Sequence, residues 1–171
     1  PYQGKYTLRY PINHHERKNM TLKIEDSAYL ADKGEPNDCV VRAFTVAACV
    51  PYETVRAALE REGRKANSST PWHALNAVAV QLVPGAVRET TPGDCMRMRP
   101  TLTRFANTHT TGHYVVIVAN TRRSHALALI DGVVHDRQTL SLGPRQDITV
   151  ASTPRYHAGG RRRVYHFFKL V

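Results

Sequence analysis

A cysteine stands where a polar turn meets an apolar segment within residues 37–44. Asn37 and Asp38 form the turn, and Cys39 opens the apolar run. A thiol at a helix N-terminus lies at the positive end of the helix dipole, which favours the thiolate and creates a nucleophile near neutral pH. A lone cysteine is more often a core residue. Catalysis therefore requires a histidine that transfers protons and a third group that orients the imidazole.

A hairpin turn selects one histidine among the nine in the chain. Asp131 and Gly132 form the dipeptide most typical of a two-residue hairpin loop, which fixes the register of the flanking strands. In that register His125 and Asp136 project from the same face as diagonal neighbours, about 7–8 Å apart between backbones. The two side chains can bridge this span. The sequence thus predicts His125 as the base and Asp136 as the orienting carboxylate.

Two more residues are candidates for the same site. His113 starts another predicted strand and is the second choice of base, because no carboxylate faces it as Asp136 faces His125. For the oxyanion, the backbone N–H of Cys39 is the natural donor at the helix start, and the Asn37 amide is a side-chain candidate. Asn37 fits the role of a turn residue or helix N-cap equally well.

The sequence predicts neither a metal nor a cofactor. Its three cysteines, Cys39, Cys49 and Cys95, include no C-x-x-C pair, which argues against a disulfide framework and against structural zinc. His109 and His113 would share a helix face, but a glycine and a predicted strand start interrupt that spacing. Cys49 and Cys95 are expected to be structural.

The predicted elements fall into two blocks along the chain. Apolar residues three and four apart predict helices over 39–50 and 52–62, a third that Thr70 caps and that runs to Leu82, and a short one over 101–108. Strand patterns follow at 113–119, 125–130, 133–136 and 164–171, whereas 86–99 is predicted to be irregular and 138–160 to be a long loop. Helices followed by an antiparallel sheet indicate an α+β fold, with an N-terminal arm at 1–35 and one domain at 36–171.

The length and the charge of the chain limit the classes of partner that it can have. The 171 residues contain no apolar run of the roughly 18 residues that span a membrane and no leader, so we expect a cytoplasmic protein without membrane contact. Basic residues exceed acidic ones by 24 − 14 = 10. That balance fits an acidic protein or a nucleic acid as partner, with Arg161, Arg162 and Arg163 as the densest candidate site, although a solvated turn explains them too. The oligomeric state is left open.

At these residues the chain resembles the papain-like cysteine peptidase superfamily. The order of a cysteine on a buried helix, a histidine at a strand start and an acid on the next strand matches Cys39, His125 and Asp136. The residues around Cys39 are also similar to the nucleophile motif of OTU-type deubiquitinases. More closely, residues 36–136 and 161–171, with their Arg-Arg-Val-Tyr ending, are similar to small papain-like proteins of tailed bacteriophages.

The resemblance implies a papain-like fold and a thiol hydrolase that cleaves peptide or isopeptide bonds of a protein or peptide substrate, in the host cytoplasm if a phage encodes it. Papain-like enzymes carry an oxyanion glutamine about six residues before the nucleophile, where this chain has Lys33. Two alternatives therefore accompany the hydrolase. One is a catalytically impaired scaffold that binds a host macromolecule through its basic surface, and the other is an acyltransferase that uses the same triad.

Overall fold

The apolar segment after Asp38 forms helix α1, Cys39–Ala48, and every residue of this helix after Cys39 is buried. Such all-round burial is expected of a helix whose residues are nearly all apolar. The computed structural model describes residues 37–93, 96–119, 124–139, 147–152 and 161–170. The predicted arm at 1–35, together with Lys33 and Cys95, lies outside these ranges.

Two further helices pack with α1 on one side of the protein. Helix α2 spans Tyr52–Arg61 and helix α3 spans Trp72–Leu82, and each buries a single apolar stripe. The predicted Thr70 cap is wrong: Pro71 occupies the N-cap position of α3, and no side chain caps the helix. Proline is suited to this position because its fixed φ is pre-organised for the helix start and it has no N–H to satisfy.

Six strands form one antiparallel sheet in the order β1-β6-β2-β3-β4-β5. Their bounds are β1 Val87–Thr90, β2 His113–Ala119, β3 Ser124–Ile130, β4 Val133–Thr139, β5 Asp147–Ser152 and β6 Arg163–Lys169. The predicted α+β class is confirmed. No helix in the described ranges is long and apolar enough to cross a bilayer.

Two segments differ from the sequence prediction. Strand β1 lies in the segment predicted to be irregular, and all four of its residues are exposed, so it carries no alternating apolar signal. Strand β5 lies inside the predicted loop at 138–160, and β4 continues to Thr139 to pair with it. The glycine, proline and polar residues around β5 show no strand pattern, because this short edge strand is stabilised by backbone pairing.

The two faces of the sheet carry separate cores. Helices α1, α2 and α3 cover one face, against which β3 presents Ala126 and Ala128. Helix α4, Leu102–Thr108, covers the other face, where Leu127 and Leu129 point. Because β3 presents the small side chains of Ala126 and Ala128 on this face before Ile130, α1 can pack close to the strand. This packing brings the α1 N-terminus, with Cys39, to the start of β3.

The turn between β3 and β4 has the predicted geometry. Asp131 and Gly132 have φ of 48° and 79°, the pair of positive values that a type I′ hairpin requires. Ile130 opposes Val133 across the turn, and the next pair follows in register, as predicted. The Asp131 carboxylate also accepts a hydrogen bond from the Gly112 N–H at 2.8 Å, which fixes the turn to the chain before β2.

Candidate active site

The site lies in a fork where β4 leaves β3. The β3–β4 ladder ends at the pair Ala128 and His135, after which β4 pairs only with β5. In a two-residue hairpin the closing residue Ile130 forms its backbone hydrogen bonds with β4. Because this direction alternates along a strand, the N–H groups of Ala128 and Ala126 also point towards β4. Beyond the end of the ladder, the Ala126 N–H donates instead to the sulfur of Cys39. The fork thus admits the thiol at the edge of β3.

The imidazole of His125 connects the thiol to Asp136. Its Nε2–H donates to the Oδ1 atom of Asp136 at 2.7 Å, and the Asp136 side chain is only 9% exposed. His125 is also hydrogen-bonded to Cys39. Because Asp136 holds Nε2, the ring nitrogen that faces the thiol is Nδ1. The structure therefore brings the three residues selected from the sequence into one hydrogen-bonded chain.

Electrostatics favours the ion-pair form of this chain. Burial alone raises the pKa of the Cys39 thiol, but the hydrogen bond and positive charge of His125, with the Ala126 N–H, outweigh burial and lower the pKa below its ordinary value. Burial likewise lowers the pKa of His125, yet the hydrogen bonds and charges of Asp136 and Cys39 raise it to about 10. Both shifts favour a thiolate beside an imidazolium over the neutral pair.

A buried ion pair anchors the turn before the nucleophile, and the sequence analysis missed it. Asp38 and Arg42 are 1% and 4% exposed, and the Arg42 Nε donates to Asp38 Oδ2 at 2.8 Å. The Tyr52 hydroxyl donates to the same oxygen at 3.1 Å. The sequence signal for this ion pair was the spacing of four residues between opposite charges at a helix start. The pair fixes the entry into α1 and hence the position of Cys39.

A cleft of about 130 Å³, open to solvent, exposes Cys39 and His125. Its lining combines apolar and polar side chains. The residues that line it are Asn37, Cys39, Val40, Ser69, Thr70, Trp72, Leu75, Ile117, Ser124, His125 and Ala126. The cleft therefore provides a surface on which a ligand can lie across the thiol.

The structure separates the two other candidates for the site. Asn37 lines the cleft with φ 65°, and one N–H of its amide donates to the Asn67 carbonyl at 3.0 Å. It is thus a turn residue, while Asp38 occupies the N-cap position. His113 lies at the other end of α1, where its Nδ1 bonds the Ala47 carbonyl at 2.9 Å. The second choice of base is therefore not at the site.

The arginine run lies at the turn into β6. Arg161 and Arg162 are exposed, and Arg163 is half-buried. The Arg163 Nη1 donates to the Arg99 carbonyl at 2.7 Å. None of these contacts tests whether the arginine run binds a partner, so that binding remains a prediction.

His109 was the candidate metal ligand. Its ring stacks on Phe105 with ring centroids 3.8 Å apart, and no cluster of three or more metal-ligating side chains exists within the described ranges.

Comparison with protein-family models, with curated proteins and with solved structures finds no match to this chain. What the site can do therefore has to be inferred from its own geometry.

Proposed function

We propose that the protein is a papain-like thiol hydrolase that cleaves peptide or isopeptide bonds, with Cys39 as nucleophile, His125 as acid and base, and Asp136 as the orienting carboxylate. The observation that carries this proposal is the hydrogen-bonded chain from Cys39 through His125 to Asp136 at the wall of an open cleft. The chain order of helix cysteine, strand histidine and acid on the neighbouring strand supports a papain-like arrangement.

Acylation follows from the charges of the pair. The Cys39 thiolate attacks the carbonyl carbon, and a C–S bond forms as the carbonyl π electrons move to oxygen. The tetrahedral intermediate then collapses, the C–N bond breaks, and the leaving nitrogen takes the proton from His125. The products are a thioester on Cys39, a free amine and a neutral imidazole. Asp136 holds the ring throughout, because its bond to Nε2 fixes the side that faces sulfur.

Deacylation reverses these roles. Neutral His125 takes a proton from water while the water oxygen attacks the thioester carbonyl. The C–S bond breaks and returns the sulfur as thiolate beside imidazolium, and the acid product leaves. For both steps the oxyanion needs donors. The backbone N–H of Cys39 and the second N–H of the Asn37 amide are the proposed pair, with Asn67 fixing that amide. This hole requires no glutamine at the position of Lys33.

Turnover in ¹⁸O-labelled water tests the proposed function. A proteome-derived peptide mixture is incubated with the protein, and new peptide ends are read by mass spectrometry. Hydrolysis predicts new C-termini that carry one ¹⁸O, and prior alkylation of Cys39 prevents their formation. If new ends appear only when an amine acceptor is added and carry no ¹⁸O, the protein is an acyltransferase instead. If no bond is cleaved or transferred, the enzyme proposal fails.

The pH profile of turnover should depend on Asp136. Activity requires thiolate and imidazolium together, so it rises as Cys39 loses its proton and falls as His125 loses its own at about pH 10. The variant Asp136→Asn removes a charge that raises the pKa of His125. The alkaline limb of kcat/KM should therefore move to lower pH by about 1–3 units. An unmoved alkaline limb in Asp136→Asn would contradict this role of Asp136.

A further inference from the structure

A strip of arginine and aromatic side chains continues the wall of the cleft away from Cys39. We define this arginine–aromatic strip by Trp72, Arg88, Arg99, Tyr165 and His166. Trp72 itself lines the cleft. Its ring meets the His166 ring edge-on, with centroids 4.7 Å apart, and the Tyr165 ring follows at 4.4 Å from His166. The strip therefore begins at the cleft and continues along the sheet face that α1, α2 and α3 cover.

A β-bulge creates this run of rings. Ile117, which lines the cleft, pairs with His166, whereas Val118 pairs with Val164. Tyr165 is thus an extra residue in β6, which lets two successive side chains lie on one face instead of alternating. The Thr90 hydroxyl meets the Nδ1 of His166 at 2.9 Å and holds its ring. The bulge accordingly extends the wall of the site by one aromatic side chain.

Two guanidinium groups flank the rings. Arg88 lies 5.3 Å from the centroid of the Trp72 ring, and Arg99 lies 4.1 Å from that of Tyr165. The Arg99 Nη1 also donates to the Tyr165 carbonyl at 2.8 Å, which fixes its place. Arg88 is exposed, and the Trp72 side chain is 42% exposed although it is large and apolar. Trp72 thus lies in the cleft, and the exposed Arg88 guanidinium lies beside it at the cleft edge.

The positive charge of the strip is not neutralised from within the described ranges. No carboxylate there forms an ion pair with Arg88 or Arg99. Burial lowers the pKa of His166, and the charges of Arg88 and Arg99 lower it further, to about 4. The imidazole is thus neutral at physiological pH, between two cations. A positive potential beside the exposed Trp72 ring suits an anionic ligand.

We infer that the arginine–aromatic strip binds an acidic side chain of the polypeptide substrate, close to the bond that Cys39 attacks. This inference rests on the proposed function, and it names the substrate class as acidic peptide segments. A polypeptide is favoured over a nucleic acid because the strip and the thiol share one cleft wall through Trp72. A ligand that extends along this wall contacts both, and under the proposed function the ligand of the thiol is an acyl compound.

Strand spacing sets the position of the acid. His125 pairs with Val118, His166 pairs with Ile117, and β2 lies between β3 and β6. Two interstrand spacings, about 10 Å, separate the backbone of His125 from that of His166. An extended peptide advances about 3.3 Å per residue. The acidic residue should therefore lie about three residues from the scissile bond.

Trp72 is the only tryptophan in the chain, so its fluorescence reports occupancy of the strip directly. The experiment titrates the variant Cys39→Ala, which binds without turnover, with two degenerate decapeptide pools that differ only in Glu or Gln at fixed positions. We expect the Glu pool to bind at least about fivefold more tightly. Adding Arg88→Gln should remove this preference. The matched control Arg104→Gln deletes the same charge from an exposed position of α4, on the other sheet face, and should preserve it.

Each outcome decides the inference. Equal affinity for the two pools overturns it, and so does an equal loss in Arg88→Gln and Arg104→Gln, which would indicate only the general positive charge. Tighter, Arg88-dependent binding of an oligothymidylate would assign the strip to single-stranded nucleic acid instead. If the Glu pool binds through Arg88 while the native protein cleaves no peptide, the strip stands and the proposed hydrolysis fails. If peptides are cleaved but the Glu preference is absent, the strip alone fails.

Discussion

Replacing Cys39 with alanine is expected to abolish peptide cleavage, with a fall in kcat of at least about 10⁴-fold. The alanine retains the fold of α1 but removes the atom that forms the thioester, and the neighbouring histidine cannot replace a covalent nucleophile. Counting of new C-termini in the ¹⁸O assay measures the effect. A second variant, His125→Ala, should cause a comparable loss, because the thiolate then lacks both its cation and its proton donor.

The matched control is Cys49→Ala on the same helix. Cys49 is the C-cap residue of α1, and its sulfur lies 3.8 Å from the Val46 carbonyl, ten residues from the proposed nucleophile. Its loss should leave turnover within about twofold of the native value, because it touches no reacting atom. Cleavage that survives in Cys39→Ala, or disappears equally in Cys49→Ala, would contradict the assignment of the nucleophile.

The largest effect on stability is expected from Arg42→Met, a loss of about 3–5 kcal/mol in the free energy of unfolding. Removing the guanidinium leaves the Asp38 carboxylate, which is 1% exposed, without the opposite charge of Arg42. Within the described ranges neither terminal nitrogen of Arg42 has a hydrogen-bond partner, so Asp38 is the main compensation for burying this guanidinium. Urea unfolding followed by circular dichroism measures the change.

Two further variants separate the buried charge from lost packing. Adding Asp38→Asn to Arg42→Met should restore most of the stability, because no charge remains buried and the amide oxygen still accepts from Tyr52. Arg56→Met is the surface control, since Arg56 bonds Glu60 at 2.9 Å with the same spacing of four residues. It should cost less than about 0.5 kcal/mol. A double variant no more stable than Arg42→Met would show that packing dominates.

The His125–Asp136 pair of the proposed triad could be predicted because it is local. The Asp131–Gly132 turn fixes the strand register, and that register places His125 and Asp136 on one face without knowledge of the rest of the fold. The same reasoning ranked His113 second, and the structure places it at the far end of α1. Short-range backbone rules were therefore sufficient to predict the base and its orienting carboxylate.

The remaining features depend on tertiary contacts. Strands β1 and β5 are edge strands that owe their conformation to backbone pairing, and β1 shows no apolar alternation. The fork between β3 and β4 exists because β4 turns to β5, a partner that the sequence analysis treated as loop. The arginine–aromatic strip joins residues from four separate segments, and a bulge in β6 that no local pattern marks brings two of its rings together.

Site-resolved alkylation across pH tests the central claim most directly, which is that Cys39 exists as a thiolate paired with the His125 imidazolium. Iodoacetamide rates for Cys39 and Cys49 are measured by peptide mapping from pH 5 to 10. Cys39 should react faster than Cys49 at pH 7. As pH increases, the rate of Cys39 should begin to rise at a lower pH than the rate of Cys49, because the pKa of Cys39 is lowered. In His125→Ala this advantage should disappear. If instead Cys39 reacts only as an ordinary thiol does, with a midpoint at about pH 8.5 or above, and His125→Ala changes nothing, the ion pair does not exist.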